Sequence, residues 1–234
     1  MGKLRWMAGT LAFGLLAGCH SRPASQGAAS EARATSAAAA GPKLRGVISA
    51  KPAGLPAGLA PGVYAHFQTS AGSIVARLFV RRAPRTVADF VALATGRRPW
   101  NDPATGTLSW HPLYDGLEFF RVVPGFIIQA GDPAETGNGS IGFNFPVETN
   151  PVRFNRAGRL SLAQAEGDPA SRSSQFFITL RPAPELDRQH FIIFGQVMRG
   201  LDVARKIAGQ PTVGSTSRPR HPAIIEHLKI GRVS

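Results

Sequence analysis

The sequence predicts a mainly β domain in which antiparallel strands close into a barrel and two α-helices pack against it. Between residues 62 and 234, many short apolar runs have the length of strands, and turn-forming residues separate them. Only two stretches repeat their apolar residues at helical spacing. Many short strands with few helices are typical of closed antiparallel barrels. A segment of this length suits one domain with one core.

The first predicted elements are two strands and a helix. Val63–Gln68 and Ser73–Phe79 are the strands, on either side of a short turn. Pro84 begins the helix and Gly96 ends it, and its apolar side chains recur at Val87, Phe90, Val91 and Ala94. We expect this stripe to pack on the barrel, and we expect Asp89 to lie on the face of the helix that contacts water.

The remaining predicted elements are strands, two long loops and one short helix. Gly96–Asp115 is predicted to be a polar loop that Trp100 and Trp110 hold against the domain surface. Glu135–Pro151 is predicted to be a second loop because it is rich in Gly and Pro. The other elements are strands on both sides of the Pro124-Gly125 bend, strands at Leu160–Ala163, Gln175–Leu180, Phe191–Val197 and His221–Gly231, and a helix at Leu201–Ala208.

One arginine and one glutamine interrupt the apolar strands around the Pro124-Gly125 bend. Strand residues alternate between faces, so Ile127 and Gln129 are predicted to share one face. Burying Arg121 costs free energy unless the charge serves a purpose. Taken alone, Arg121 is better interpreted as an arginine at a sheet edge whose long side chain extends into water. Two later segments change this interpretation, because Gln175-Phe177 and Leu186–His190 bring further polar groups next to apolar strands.

These three segments together resemble the cyclophilins, which are peptidyl-prolyl cis-trans isomerases. The family patterns are close to F-x-R-x-x-P-G-F-x-x-Q-x-G-D, S-Q-F-F-I and L-D-x-x-H-x-x-F-G. In this chain their counterparts are residues 119–132, 174–178 and 186–195. The resemblance runs in register from about residue 63 to about residue 230. It implies an eight-stranded barrel with a helix capping each end, and activity on peptide bonds that precede proline.

The resemblance also implies a role for each residue of the site. Arg121 corresponds to the catalytic donor of the family, and Gln129 would orient the guanidinium and touch the substrate backbone. A slot for the proline ring would be formed by Phe126, Ile127, Phe177 and Leu186, with His190 closing its rim. Contacts to the substrate backbone would come from Gln175, Ala163, Gln164 and Ala165.

Two positions depart from the family pattern. Glu185 stands where many cyclophilins have a tryptophan that contributes to cyclosporin binding, so we expect weak inhibition by that drug. Gln164 stands where asparagine is common, and its extra methylene is expected to shift the substrate contacts.

The predicted chemistry uses no cofactor and no metal ion. Rotation about the bond before proline is slow because it breaks amide resonance, with a barrier of about 20 kcal/mol. An apolar slot and one well-placed donor are enough to lower it. Gly137-x-Gly139-x-x-Gly142 spells a dinucleotide fingerprint, but Phe143, Phe145 and Pro146 follow it instead of a helix. The six histidines show no paired metal-binding spacing.

The N-terminal sixty residues predict an export signal and a tether. Residues 1–18 have a short positive region followed by a short apolar one, as a secretory signal has. They end in Leu-Ala-Gly before Cys19, which resembles the lipobox of bacterial lipoproteins and implies acylation of that cysteine. Residues 19–61 are rich in Ala, Gly, Pro and Ser and are predicted to be a flexible linker. His20 follows the cysteine, so the resemblance implies a bacterial envelope protein anchored in the outer membrane and facing the periplasm.

The formal charge of +13 is spread along the chain in short pairs of arginines. This distribution favours a solvated basic surface over a nucleic-acid site, with weak attraction to anionic lipid as a secondary effect. The expected partners are proline-containing polypeptides and, through the lipid, a membrane; like most of the family, the protein is expected to be a monomer. Two alternatives remain open, a low-turnover proline-peptide binding module or holdase, and a basic lipoprotein that binds an anionic envelope polymer.

Overall fold

A computed structural model describes residues 55–165, 168 and 173–234. The predicted signal peptide, Cys19 and nearly all of the linker lie outside these residues. The elements, in chain order, are β1 Gly62–Thr69, β2 Gly72–Leu78, α1 Pro84–Ala94, β3 Trp100–Asp102, β4 Thr107–Ser109, β5 Arg121–Val123, β6 Ile127–Ala130, β7 Arg159–Leu162, β8 Phe176–Thr179, a 3₁₀ helix Pro184–Gln189, β9 Ile193–Arg199, α2 Leu201–Ala208 and β10 Ile225–Val233. Among these elements, no helix has the length and apolar composition needed to span a bilayer.

Eight of the strands form one antiparallel sheet in the order β10-β1-β2-β9-β7-β8-β6-β5. The sheet curls until the segments before its two edge strands meet, at a single bridge between Glu118 and Ile224. Beside that bridge, the Phe119 amide donates to the Ala223 carbonyl at 2.9 Å. Within the described residues, no ladder joins β5 to β10. The eight strands and the two helices are therefore as predicted, whereas the fold is a curled sheet and the closed barrel is not shown.

The core fills the inside of the curled sheet with alternate strand residues and the apolar face of α1. Phe67 of β1, Phe176 of β8 and Phe194 of β9 are fully buried there. Phe90 of α1 packs against them, with its ring 4.9 Å from that of Phe194 and 6.0 Å from that of Phe176. All four members of the predicted helical stripe lie in this core. The prediction that the stripe packs on the sheet is confirmed.

Asp89 contradicts the prediction that it contacts water. Its side chain is fully buried and forms an ion pair with Arg98. The cause is the loop after α1, which turns back over the helix so that the Leu113 amide donates to the Leu93 carbonyl at 3.0 Å. Burial raises the pKa of Asp89, and the nearby Arg98 opposes that rise. The Arg98 guanidinium also lies 3.6 Å from the centre of the Phe143 ring.

The loop between α1 and β5 contains a short hairpin of β3 and β4 that was not predicted. Its strands are polar and only three residues long, so the apolar alternation that reveals a strand is absent. Trp100 is buried and donates from Nε1 to the His111 carbonyl at 3.0 Å, as an anchoring residue should. Trp110 is 62% exposed and does not anchor the loop.

A buried histidine makes the stability of the fold depend on pH. His66 of β1 is 4% exposed, and its Nε2 lies 3.1 Å from the Ser73 hydroxyl. Burial, followed by the charge of Lys229, lowers the pKa of His66. The unfolded chain therefore takes up a proton at a higher pH, near 6.5, than the folded protein does. The stability that neutral His66 confers is complete above that pH and is lost as the pH falls through the folded-state pKa.

We expect His66→Gln to flatten this pH dependence. The difference in unfolding free energy between wild type and His66→Gln should shrink as the pH falls from about 7.5 to about 5. Only in the wild type does protonation of residue 66 in the unfolded chain lower the stability of the fold. Urea unfolding at a series of pH values measures it. The exposed His221 provides a matched control, and a His221→Gln variant should follow the wild-type curve. Parallel curves for wild type and His66→Gln would contradict the expectation.

Candidate active site

Strand register brings Arg121 and Gln129 together across one antiparallel pair. Arg121 begins β5 and lies directly opposite Gln129 of β6. The guanidinium donates from Nη1 to the Gln129 Oε1 at 3.1 Å. The two strands are joined by a tight bend in which Gly125 adopts a φ of +70°, a conformation that suits glycine. The Pro-Gly bend therefore sets the register that makes this contact.

The amide of Gln129 continues into a chain of hydrogen bonds. Gln129 donates from Nε2 to the Gln175 Oε1 at 3.0 Å, and Gln175 donates from Nε2 to the Gly137 carbonyl at 3.1 Å. An arginine can only donate and a carbonyl can only accept. The two ends of the chain therefore determine the orientation of both amides. The Gln129 oxygen must face Arg121, and neither amide can flip without breaking a hydrogen bond.

A buried carboxylate shapes the glycine-rich loop that supplies the last acceptor. Asp132 is fully buried and accepts hydrogen bonds from several backbone amides of the loop, among them Gly137 at 2.6 Å and Gly139 at 3.1 Å. A side chain at Gly139 would collide with the Asp132 carboxylate, so that position requires glycine. Residues 143–158, which follow Gly142 directly, contain no helix. The loop thus positions a carbonyl of the site and lacks the architecture of a dinucleotide fingerprint.

The guanidinium is partly desolvated while keeping its charge. Burial lowers the pKa of Arg121 from its ordinary value, but an arginine remains protonated at physiological pH. Its hydrogen-bond partner Gln129 is neutral, so this contact orients the cation without cancelling its charge. A charged donor that is partly withdrawn from water interacts more strongly with a ligand than one in bulk solvent.

An apolar cluster borders this polar chain, and we call it the slot cluster. Ile127 lies on the same face of β6 as Gln129, and Phe177 of β8 is directly opposite Gln129. The Phe177 ring stacks on that of Phe154 at 5.9 Å and meets Phe191 edge-on at 5.1 Å. The buried members are Ile127, Val152, Phe154, Phe177, Ala183, Leu186 and Ile193, and the partly buried ones include Phe126, Ala163 and Phe191.

The structure brings together most of the residues that the sequence predicts for the site. Five of the predicted residues belong to the slot cluster, namely Phe126, Ile127, Ala163, Phe177 and Leu186. Gln175 joins the polar chain through its side chain. Gln164 donates from Nε2 to the Gln189 carbonyl at 2.8 Å, which links the end of β7 to the 3₁₀ helix. Ala165 is exposed and forms a bridge with Asp168.

His190 is exposed at the end of the 3₁₀ helix, in a left-handed conformation with a φ of +54°. It lines a groove of about 420 Å³ that it shares with Leu186 and Phe154, and the groove adjoins the slot cluster. This position is compatible with the predicted place at the rim.

Charged residues form another part of the rim. Glu185 is exposed and pairs with Arg181 at 2.5 Å, and this hydrogen bond lowers the pKa of Glu185. The Arg181 guanidinium lies 5.0 Å from the centre of the Phe126 ring. The position at which the family resemblance implies a tryptophan is thus part of an ion pair, and Arg181 of that pair lies over Phe126 of the slot cluster.

Sequence reasoning missed two aromatic members of the slot cluster, Phe154 and Phe191. Phe154 lies in an irregular segment between loop and strand, where no periodicity indicates which side chains point inward. Its amide donates to the Asp187 carboxylate at 3.0 Å, so Asp187 ties this segment to the 3₁₀ helix. Phe191 directly follows His190 in the third motif, and this position next to a predicted site residue was the signal that could have identified it.

No set of three His, Cys, Asp or Glu side chains within the described residues is arranged to hold a metal ion. The polar groups that converge at the slot cluster are one guanidinium and two amides. These groups can bind and polarise a peptide backbone, and they offer neither a nucleophile nor a general base.

Comparisons with known proteins point to one enzyme family. A family model described as cyclophilin type peptidyl-prolyl cis-trans isomerase/CLD matches residues 64–230. Peptidyl-prolyl cis-trans isomerase B of Streptomyces anulatus is 41% identical over 175 residues, which cover 74% of this chain and 98% of that protein. Peptidyl-prolyl cis-trans isomerase A of Mycobacterium tuberculosis is 39% identical over 169 residues, which cover 71% of this chain and 91% of that protein.

A solved structure shows the same fold. The cyclophilin-type isomerase of Cryptosporidium parvum, crystallised in the presence of the dipeptide Ala-Pro, is similar with a TM-score of 0.59 and 31% identity. The match covers 73% of this chain and 99% of that one. Because the family model spans well over half of the chain and the relatives match along nearly their whole length, this chain belongs to the cyclophilin-type peptidyl-prolyl cis-trans isomerases.

Proposed function

We propose that Arg121 is the catalytic donor and that Gln129 holds it in position. Rotation about the bond before proline localises the nitrogen lone pair, because amide resonance is lost in the twisted state. The Arg121 guanidinium donates to that nitrogen, and the hydrogen bond strengthens only as the bond twists. Such a selective interaction lowers the barrier, whereas equal binding of both states does not. The observation that carries this proposal is the directed chain from Arg121 through Gln129 and Gln175 to Gly137.

We propose that the slot cluster receives the proline ring. Phe126, Phe177 and Leu186 offer apolar surface next to the guanidinium, so burial of the ring places the prolyl nitrogen near the donor. The association of the Cryptosporidium parvum relative with Ala-Pro supports a proline-containing ligand. Because the ring is held while the preceding carbonyl is free to rotate, binding of the ring and rotation of the bond do not compete.

The substrate backbone is proposed to run along the end of β7. Ala163, Gln164 and Ala165 follow directly after that strand, where the family places a substrate-backbone strand. The Gln164 side chain is engaged with the Gln189 carbonyl, so we assign its contact with substrate to the backbone. His190, next to that carbonyl in the chain, closes the rim, and Gln175 and Gln129 contribute amides beside the pocket.

We further propose that the enzyme is a monomeric lipoprotein that acts on exported proteins as they fold. The support is the sequence of the first nineteen residues, with its positive region, short apolar stretch and terminal Leu-Ala-Gly-Cys. Acylation at Cys19 would anchor the chain in the outer membrane, and residues 19–61 would hold the isomerase domain in the periplasm. Mass spectrometry of the membrane-bound protein tests this, because the proposal requires a diacylglycerol-modified cysteine at the mature N-terminus.

Exchange NMR tests the catalytic proposal. A peptide containing one Xaa-Pro bond, mixed with about one hundredth of its concentration of protein, should show cis-trans exchange many times faster than the uncatalysed tens of seconds. Bovine serum albumin at the same concentration serves as the protein blank. Line broadening without accelerated exchange would show binding alone.

That second outcome would favour the alternative, a binding module or holdase with little turnover. The observation behind this alternative is the Glu185–Arg181 ion pair on the Phe126 wall, which alters the rim without touching the polar chain. A binding module of this kind would still bind proline-containing segments and would leave the cis-trans exchange rate near the uncatalysed value.

Gln175→Met should slow catalysis by freeing the Gln129 amide. Methionine preserves the size of the side chain and removes both hydrogen bonds, so the Gln129 oxygen is no longer held toward Arg121. We expect kcat to fall about tenfold, the effect of about 1.4 kcal/mol, while KM changes less than twofold. Gln68→Met, on β1 in the other half of the sheet, is the matched control.

The side-chain amide signals of Gln129 provide a second measurement. They should shift in Gln175→Met and remain in place in Gln68→Met. An unchanged kcat together with shifted amide signals would show that orienting Gln129 does not contribute to catalysis.

A further inference from the structure

Six arginines surround a pocket that contains none of the residues proposed for the proline slot, although Phe79 in its lining also packs against the slot cluster. The pocket has a volume of about 850 Å³ and is lined by Arg77, Arg81, Arg82, Arg156, Arg159 and Arg232. They belong to the ends of β2 and β10, the turn after β2, the segment that leads into β7 and the first position of β7. Most of the lining lies on β10, β1, β2 and the turn after β2, whereas the polar residues of the site lie on β5 and β6 and next to β8.

The arginines differ in how they are held. Arg159 is 8% exposed and is fixed by hydrogen bonds from Nε to the Arg153 carbonyl at 2.9 Å and from Nη2 to Asn155 at 2.7 Å. Arg77 donates from Nη2 to the Pro61 carbonyl at 2.9 Å. Neutral hydrogen-bond partners thus hold these two side chains in place without forming an ion pair with them.

The other four arginines, Arg81, Arg82, Arg156 and Arg232, are exposed. Within the described part of the chain, none of the four takes part in an ion pair. No residue lining the pocket is acidic among those described. Burial and then the charges of Arg156 and Arg82 lower the pKa of Arg159, although Asp187 opposes this. The exposed cations therefore add to a positive field around the buried Arg159, and Asp187 offsets this field only in part.

A solvated basic surface does not require this arrangement. Arginines that serve only solubility project separately into water, where like charges repel less. Here they surround a concavity, which focuses the field, and its floor includes the apolar side chains of Leu78 and Phe79. The volume lies in the range of ligand-binding pockets. A guanidinium group matches the geometry of phosphate and can donate hydrogen bonds to two of its oxygens at once.

We propose that this pocket binds a phosphorylated ligand with at least two negative charges. The pocket is larger than one phosphate group needs, and six cations can compensate several negative oxygens. Two sources share this chemistry, a free diphosphate compound and the phosphorylated head group of a membrane lipid. Pro61 and Gly62 line the same pocket, so it opens where the chain enters the domain and where a membrane tether would lead.

The test compares two triple variants of the full chain in a mild nonionic detergent. Arg82→Gln, Arg156→Gln and Arg232→Gln remove three exposed cations of the pocket. Arg199→Gln, Lys206→Gln and Lys229→Gln remove three exposed cations elsewhere and keep the net charge equal. Calorimetric titration with inorganic pyrophosphate measures affinity, and thermal unfolding with and without pyrophosphate measures stabilisation of the folded state.

We expect saturable binding of pyrophosphate by wild type and by the control variant, with affinities within about twofold. The pocket variant should bind at least about tenfold more weakly, because it lacks three guanidinium groups that can form charge-assisted hydrogen bonds to phosphate. Pyrophosphate should raise the Tm of wild type and control but not that of the pocket variant. Equal losses in both triple variants, or no saturable binding by wild type, would overturn the proposal.

Vesicles distinguish the two sources. The same three proteins are sedimented with phosphatidylcholine vesicles that contain or lack phosphatidic acid, so the contribution of the N-terminal segment is identical in all. A selective loss of phosphatidic-acid binding by the pocket variant supports a lipid head group, and retention of that binding with loss of pyrophosphate affinity supports a free ligand. If a DNA oligonucleotide alone requires the three arginines, the pocket is a nucleic-acid contact and the proposal is wrong.

Discussion

Arg121→Ala is expected to reduce kcat/KM for an Xaa-Pro peptide by about 100- to 1,000-fold, which is the usual effect of removing one donor that acts in the transition state. The loss should fall mainly on kcat, because the slot cluster still binds the proline ring. Exchange NMR or a coupled protease assay measures the rate. The fold should persist, since Arg121 is only partly buried at the start of a three-residue strand.

Two further variants separate charge from geometry. Arg121→Lys keeps the positive charge but lacks the planar fork that bonds Gln129 and a substrate atom together. It should recover less than about a tenth of the wild-type kcat. Arg199→Ala removes an exposed arginine of β9 and should leave the rate unchanged within about twofold. Wild-type activity in Arg121→Ala, with the protein folded, would remove Arg121 from the mechanism.

Asp89→Ala is expected to lower the free energy of unfolding by about 3 to 5 kcal/mol, the cost of breaking a buried ion pair by removing one partner. Asp89 is fully buried, and Arg98 is buried beside it. Without the carboxylate, the Arg98 guanidinium keeps its contact with the Phe143 ring but loses its anionic partner in this buried pair. A neutral ring cannot replace the lost charge compensation.

The matched control is Asp202→Ala, which removes an exposed aspartate from the first turn of α2. Its effect should stay below about 1 kcal/mol, the usual size of a helix-dipole contribution. Urea denaturation of both variants and of wild type provides the comparison. A loss of less than about 1 kcal/mol in Asp89→Ala would show that the ion pair does not stabilise the fold.

The positions of Arg121, Gln129, Ile127 and Phe177 follow from local sequence. Alternation within a strand decides which of two faces a residue occupies, and the Pro124-Gly125 bend decides the register between β5 and β6. These constraints act over a few residues, so they are visible in the chain itself. The order of the three motifs indicated that their strands belong to one site, and β5, β6 and β8 are neighbours in the sheet.

The wrong prediction for Asp89 shows what local sequence cannot reveal. Helical periodicity distinguishes the face toward the sheet from the opposite face, and it correctly assigned the apolar stripe of α1. It cannot show that a loop twenty residues long returns to cover the opposite face. Phe154 is a similar case, because an irregular segment has no period from which an inward direction follows. The closed barrel was an extrapolation from strand content, which does not decide whether edge strands pair.

Motif spacing and side-chain alternation are properties of the chain, so they were enough to predict the family, most strand positions and five members of the slot cluster. The folded arrangement was needed to show that Gln175 continues a hydrogen-bond chain whose two ends orient Gln129 toward Arg121. It alone showed that six arginines from distant segments surround one pocket. The physical reason is that hydrogen-bond direction and field strength depend on distances between groups far apart in the chain, and only folding sets those distances.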